Sequence, residues 1–203
     1  MQPSGINGVD DIPWGAHLCV FYRDARELQH LCVSFLTAGL EQKQYCLWIT
    51  APPVEAHQAV KALTDAFPTA QRYLDCQQIE VVPYTEWYVR DGRFDRQAVI
   101  RRWEEKAVVA AQAGYDGIRI TGNPVWLHTD AQWLEFGVYE REVNQALRHQ
   151  RIVALCTYPK QQCDSDQMVR IMQNHSHAIY RQSLNGLEWK SVTVDDALSQ
   201  ESP

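Results

Sequence analysis

Short apolar runs alternate along the chain with longer stretches whose apolar residues return every three or four positions. Leu18 to Tyr22, Tyr45 to Thr50, Ile79 to Tyr84, Ile118 to Thr121 and Arg151 to Tyr158 are runs of the first kind. Near-continuous hydrophobicity such as YCLWIT marks a strand covered on both faces. Leu28, Leu31, Cys32, Phe35, Leu36 and Leu40 form the stripe of a helix that opens at Asp24, a natural N-cap. Pro52-Pro53 is expected to open a second helix with Ala56, Val60, Leu63 and Phe67 inward. A turn at Asp91-Gly92 precedes a third, from Asp95 to about Ala113, which buries Val99, Trp103, Ala107 and Ala110 and stops at Gly114. A long helix follows from about Asp130 to Arg148, then a shorter one from Ser165 to His175. Ala178–Arg181 and Leu187–Val194 pair as a hairpin around Asn185-Gly186. The alternation predicts an α/β fold: a mainly parallel sheet flanked by helices on both faces, with a C-terminal β-hairpin.

The 203 residues suit one domain, placed at residues 13–194, with an N-terminal extension (1–12) and a flexible tail (195–203). With 25 acidic against 19 basic residues the formal net charge is −6, and no basic cluster is present to neutralise phosphates. Direct nucleic-acid binding and an electrostatically held membrane partner are therefore not expected. No apolar run reaches the roughly 18 residues that span a bilayer, and MQPSGINGVDDIPWG has no basic start followed by an apolar block. Six scattered cysteines without a CxxC pair read as reduced thiols in a cytoplasm.

The informative residues are polar ones on apolar faces, because burial without a partner is costly. On the long helix, Trp133, Phe136, Val143 and Leu147 define the inward stripe. Glu140 falls in its middle, with Asn144 one turn on. A buried carboxylate needs a partner or a raised pKa, and Arg119 on the preceding strand is the nearest in sequence. Either a Glu140–Arg119 pair fixes the helix on the sheet, or Glu140 walls a ligand pocket. His175 follows Met168, Ile171 and Met172 at inward spacings and is either a satisfied core histidine or a ligand contact. His17 and Cys19 share one strand face by the period of two. Cys156 could join them on a metal only if its strand is their neighbour. No GxSxG, GxGxxG, GxxxxGK[ST] or HExxH is present, so no enzymatic activity is expected. Tyr22, Tyr84, Trp87, Tyr88, Trp126 and Tyr158 fall at or beyond the C-terminal ends of predicted strands, where open parallel sheets bind ligands. They suggest an aromatic-lined small-molecule cavity at that edge.

Two resemblances follow from these segments. Phe35-Leu-Thr-Ala-Gly39-Leu40 through Tyr45-Cys-Leu-Trp-Ile-Thr50 is similar to the stretch after the P-loop in RecA/KaiC-type ATPases. Tyr22-Arg-Asp-Ala-Arg-Glu replaces the loop that carries the Walker lysine there, so ATP hydrolysis by that route is not expected. The whole chain resembles the MEDS domain, the methanogen/methylotroph sensory domain of prokaryotic signalling proteins. The matching pieces are Gly15-Ala-His17-Leu-Cys19-Val-Phe-Tyr22, Ala38-Gly-Leu40, Gly117-Ile-Arg119-Ile-Thr-Gly122 with Trp126, Tyr139-Glu140-Arg-Glu-Val-Asn144, Leu155-Cys156-Thr-Tyr158 and His175. The resemblance departs at Asn123, where the family often has an acidic residue, and at Ser176, where it tends to have proline. It implies a sensor of small hydrocarbon derivatives, one-carbon or halogenated, that passes its state to a linked output module. The sequence has no recognisable DNA-binding or kinase segment, so the output is expected either outside these residues or in a separate protein: a kinase, an anti-sigma factor or a transcription regulator. The expected ligand-binding residues are His17, Cys19, Tyr22, Arg119, Asn123, Trp126, Glu140, Asn144, Cys156, Tyr158 and His175, with no cofactor. Two other readings stay open: a metal- or thiol-dependent protein using His17, Cys19, Cys156 and His175, and a ligand-free interaction module. A homodimer is compatible with each.

Overall fold

The computed structural model describes residues 1–181 and 189–194. The elements in chain order are β1 (His17–Tyr22), α1 (Ala25–Glu41), β2 (Tyr45–Thr50), α2 (Ala56–Ala66), α3 (Ala70–Asp75), β3 (Ile79–Pro83) and the short α4 (Tyr84–Trp87). A two-stranded ribbon of β4 (Val89–Arg90) and β5 (Arg93–Phe94) turns at Asp91-Gly92, both in the left-handed region. Then come α5 (Arg96–Gln112), β6 (Ile118–Gly122), α6 (Asp130–Leu147), β7 (Ile152–Pro159), α7 (Ser165–Gln173), β8 (His177–Arg181) and β9 (Trp189–Thr193).

The sheet has seven strands in the order β3-β2-β6-β7-β1-β8-β9, and every pairing within it is parallel except β8–β9. This is the expected α/β architecture with its C-terminal hairpin. The hairpin's Asn185-Gly186 turn, the Leu187 end of its second strand and the tail from 195 lie outside the described residues. Asp24 caps α1 by accepting the Glu27 amide, as its position suggested. The proline pair behaves differently: Pro52-Pro53 sits in a turn, and α2 starts three residues later, where the Gln58 side chain accepts the Glu55 amide.

Each sheet face buries its own core. Leu18, Val20, Tyr22, Cys46, Trp48, Val153 and Leu155 meet the inner stripe of α1. Ile6, Val9 and Ile12 of the N-terminal segment join that core. Leu47, Ile49, Ile118, Ile120, Ile152 and Ala154 meet α5 and α6 on the opposite face. A smaller cluster joins Cys19, Tyr158 and Ala178 to Ile171 of α7, so α6 and α7 share one side of the sheet. Among the described residues, no helix is long and apolar enough to cross a membrane.

Candidate functional site

β1 and β7 are neighbours in register, with His17 opposite Ala154 and Cys19 opposite Cys156. Strand residues two apart point the same way, so His17, Cys19, Cys156 and Tyr158 all face α6 and α7. α6 lays Glu140 onto that surface at the centre of its apolar stripe. His175 lies two residues beyond the end of α7 and points back into the same spot. The helix is shorter than the spacing suggested, but the inward direction is right.

Four side chains thus converge. Glu140 Oε2 lies 3.0 Å from His17 Nε2 and 3.2 Å from His175 Nε2. Cys156 Sγ is 3.3 Å from His17 Nε2 and 3.9 Å from Glu140 Oε2. His17, Glu140 and His175 are almost wholly buried, and the two imidazoles stack with centroids 4.0 Å apart. Tyr158 meets His175 edge-on. The anticipated Glu140–Arg119 pair does not form, and the reason is parity: Ile118 and Ile120 face α6, so Arg119 between them faces α1. The anticipated metal set changes too. Glu140, rather than Cys19, completes the group with His17, Cys156 and His175.

Burial alone would raise the Glu140 carboxyl, but the two imidazoles facing it overcome this and hold it at about 2. His17 is lowered to about 4, first by burial and then by the neighbouring His175, against the pull of Glu140. Burial pushes the Cys156 thiol well above its ordinary value, and the Glu140 charge adds to this. His175 Nδ1 lies 2.7 Å from the Ile171 carbonyl, which can only accept, so this nitrogen carries a proton. Ser176 clasps β1 to this loop. Its Oγ accepts the His17 amide and donates to the His17 carbonyl, and its own amide donates to the same carbonyl. A proline here would lack both the hydroxyl and the amide hydrogen.

Two spaces adjoin the cluster. A cavity of about 20 Å³ is lined by His17, Tyr88, Gly122, Tyr139, Glu140 and Cys156 among others. Gly122 makes room for Tyr88 there, because a Cβ would stand 2.6 Å from the Tyr88 hydroxyl and displace it. A groove of about 510 Å³ runs between α6 and α7, with Glu140 and Tyr158 on its floor and Trp133, Arg141, Arg170 and Asn174 along its walls. Trp133 was read in the sequence only as part of the inward stripe, and Arg141, Arg170 and Asn174 were missed. Arg141 carried one signal, its i+4 relation to Gly137 beside Glu140 on α6.

The remaining expected residues lie elsewhere. Tyr22 and Trp126 line a separate cleft of about 440 Å³ at the C-terminal strand ends, with Pro52, Pro53 and Tyr84. Asn123 Nδ2 donates to the Tyr22 hydroxyl and to the Pro52 carbonyl, two bonds an aspartate could not donate. At the N-terminus of α1 the amides of Arg23 and Glu27 are taken by the Glu27 and Asp24 carboxylates. Negative charge thus sits where a P-loop would hold phosphate. Asn144 is half-buried on α6, with its Oδ1 unpartnered among the described residues. Arg119 is fully enclosed on the α1 face.

A family model described as the methanogen/methylotroph, DcmR sensory domain (MEDS) matches residues 16–176. The chain belongs to the MEDS family. The matched span of this MEDS domain holds His17, Glu140, Cys156 and His175, all four members of the cluster. Among solved structures, the KaiC-like protein of the hyperthermophilic archaeon Pyrococcus horikoshii OT3 is similar in fold, with a TM-score of 0.63 and 12% identity. The alignment covers 88% of this chain and 79% of that one. No curated protein matches the sequence.

Proposed function

We propose that this MEDS domain is a non-enzymatic sensor whose recognition centre is the His17–Glu140–Cys156–His175 cluster rather than the aromatic cleft at the strand ends. The observation that carries this reading is the convergence of four chemically versatile side chains, three buried and Cys156 half-buried, from β1, α6, β7 and the segment after α7, beside the groove between α6 and α7. A small one-carbon or halogenated compound suits the limited space, with Tyr88, Tyr139 and Tyr158 as apolar walls and the cluster as the polar contact. Binding shifts how α6 and α7 seat on the sheet, and a separate kinase, anti-sigma factor or transcription regulator reads that change.

The test is NMR on the full chain with a panel of methanol, methylamine and halogenated methanes, following the imidazole and indole resonances. The reading expects at least one compound to move His17 and His175 and to leave Trp126 in place. Movement of Trp126 and Tyr22 with unmoved histidines would transfer recognition to the strand-end cleft.

A further inference from the structure

We propose that His17 Nε2, Glu140 Oε2, Cys156 Sγ and His175 Nε2 ligate one divalent transition-metal ion of the zinc class. The inference deepens the sensor reading and rests on it for physiological meaning, but the metal chemistry is tested separately.

The first argument is distance. Tetrahedral ligands at about 2.0–2.3 Å from an ion stand roughly 3.3–3.8 Å from one another. The four donors here are separated by 3.0, 3.2, 3.3 and 3.9 Å where they touch, and all lie within 4.8 Å of one another. The four close contacts fall within a few tenths of an ångström of that range, and the widest pair, at most 4.8 Å apart, has to close by about 1 Å onto an ion.

The second is orientation. The Nδ1 proton of His175 is committed to the Ile171 carbonyl, which turns Nε2 inward. This is the way a metal-binding imidazole is held by its outer partner. Nε2 is 3.2 Å from the Glu140 carboxylate yet makes no aligned hydrogen bond among the described residues. A cation between this nitrogen and the carboxylate would bond to both.

The third is charge and donor type. One carboxylate and one thiolate exactly balance a divalent ion, and two neutral imidazoles complete the set, so the buried centre is neutral when loaded. Two nitrogens, one sulfur and one oxygen favour a borderline ion over calcium or magnesium. Loading is an acid–base step without redox change: the Cys156 S–H bond breaks, an S–metal bond forms, and the proton leaves to solvent. The adjoining cavity of about 20 Å³ touches His17, Glu140 and Cys156 and has room for one water-sized further ligand.

The test is cobalt titration of the full, metal-stripped chain under reducing conditions, with circular dichroism to verify folding. The expected result is one ion per chain, an intense tetrahedral visible spectrum and a sulfur-to-cobalt charge-transfer band, all displaced by zinc. Cys156→Ser should remove the charge-transfer band and weaken binding at least about tenfold. Cys19→Ser and the exposed Cys76→Ser should keep the band. No stoichiometric uptake by the folded chain, a weak octahedral spectrum, or a band that survives Cys156→Ser would overturn the proposal. If Cys156→Ser does not fold, cadmium NMR on the unmodified chain decides: a single-thiolate, mixed-donor shift supports the site, and an all-oxygen or multi-thiolate shift refutes it. Failure here leaves the histidine response to small molecules free to stand alone.

Discussion

Arg119 and Glu140 are both charged, both buried and both set in apolar stripes, yet the molecule treats them in opposite ways. Arg119, on the α1 face, is enclosed mainly by amide and carbonyl groups, with the Cys46 thiol as a lone titratable neighbour among the described residues. Its Nε donates to Gln44 Oε1 at 2.8 Å and its Nη1 to the Phe35 and Ser4 carbonyls, while the guanidinium lies over the Phe35 ring. Gly39 leaves the space, since a Cβ there would come within 2.8 Å of Arg119 Cδ. No carboxylate pairs with it among the described residues, and burial lowers it to about 10, still charged at neutral pH. Glu140, on the other face, is surrounded by two imidazoles and a thiol. Both solutions bury a charge. Only the second assembles groups that exchange protons or bind ions, and this contrast separates a residue that holds the fold from one that defines a site.

The largest effect should come from Arg119→Met. It strands Gln44 and two carbonyls without their donor and opens the clamp on the N-terminal segment, so urea denaturation should show a loss of about 3–5 kcal/mol. The cobalt spectrum per folded molecule should be unchanged. Glu140→Gln should invert this pattern, with a smaller stability loss of about 1–3 kcal/mol and no stoichiometric metal uptake. If the two substitutions behave alike in both assays, the contrast fails.

Acid sharpens the same distinction. The unfolded chain protonates His17 near 6.5 and Glu140 near 4.5, whereas the folded chain does so only near 4 and 2. Between those values the unfolded state holds more protons. Stability of the metal-free chain should therefore be level above about pH 7 and fall as pH drops through 6.5, by on the order of 1–2 kcal/mol by pH 5. Denaturation midpoints across pH 5–8 check this, and a rise in stability on acidification would contradict it. The smallest effect belongs to Tyr22→Phe. It removes one hydrogen bond while Asn123 keeps its bond to Pro52, so the cost is about 1 kcal/mol or less with metal uptake intact.

The strands, the parallel sheet and the inward direction of Glu140 and His175 were legible because each rests on a local period. Which residues meet was not. A parallel sheet is apolar on both faces, so the period of two separates Arg119 from its neighbours without saying which helix covers which side. The assignment of Arg119 to Glu140 failed on that point. The meeting of His17 with Cys156 depends on β1 lying beside β7, a contact across 139 residues that no local pattern encodes. The aromatic edge was legible only in part, for a related reason: Tyr22, Tyr84 and Trp126 do line a cleft at the strand ends. Strand ends share an edge only in projection, and Tyr22 and Trp126 stand at the cleft while Tyr158 belongs to the cluster. The family match then fits this geometry, since its span includes every member of the cluster.

The most direct test is anomalous diffraction from crystals of the zinc-loaded chain, collected on both sides of the zinc edge. The account predicts one strong peak between His17 Nε2, Glu140 Oε2, Cys156 Sγ and His175 Nε2. A loaded crystal with its peak only at surface groups such as Cys76 or His128, and none in the cluster, would contradict it.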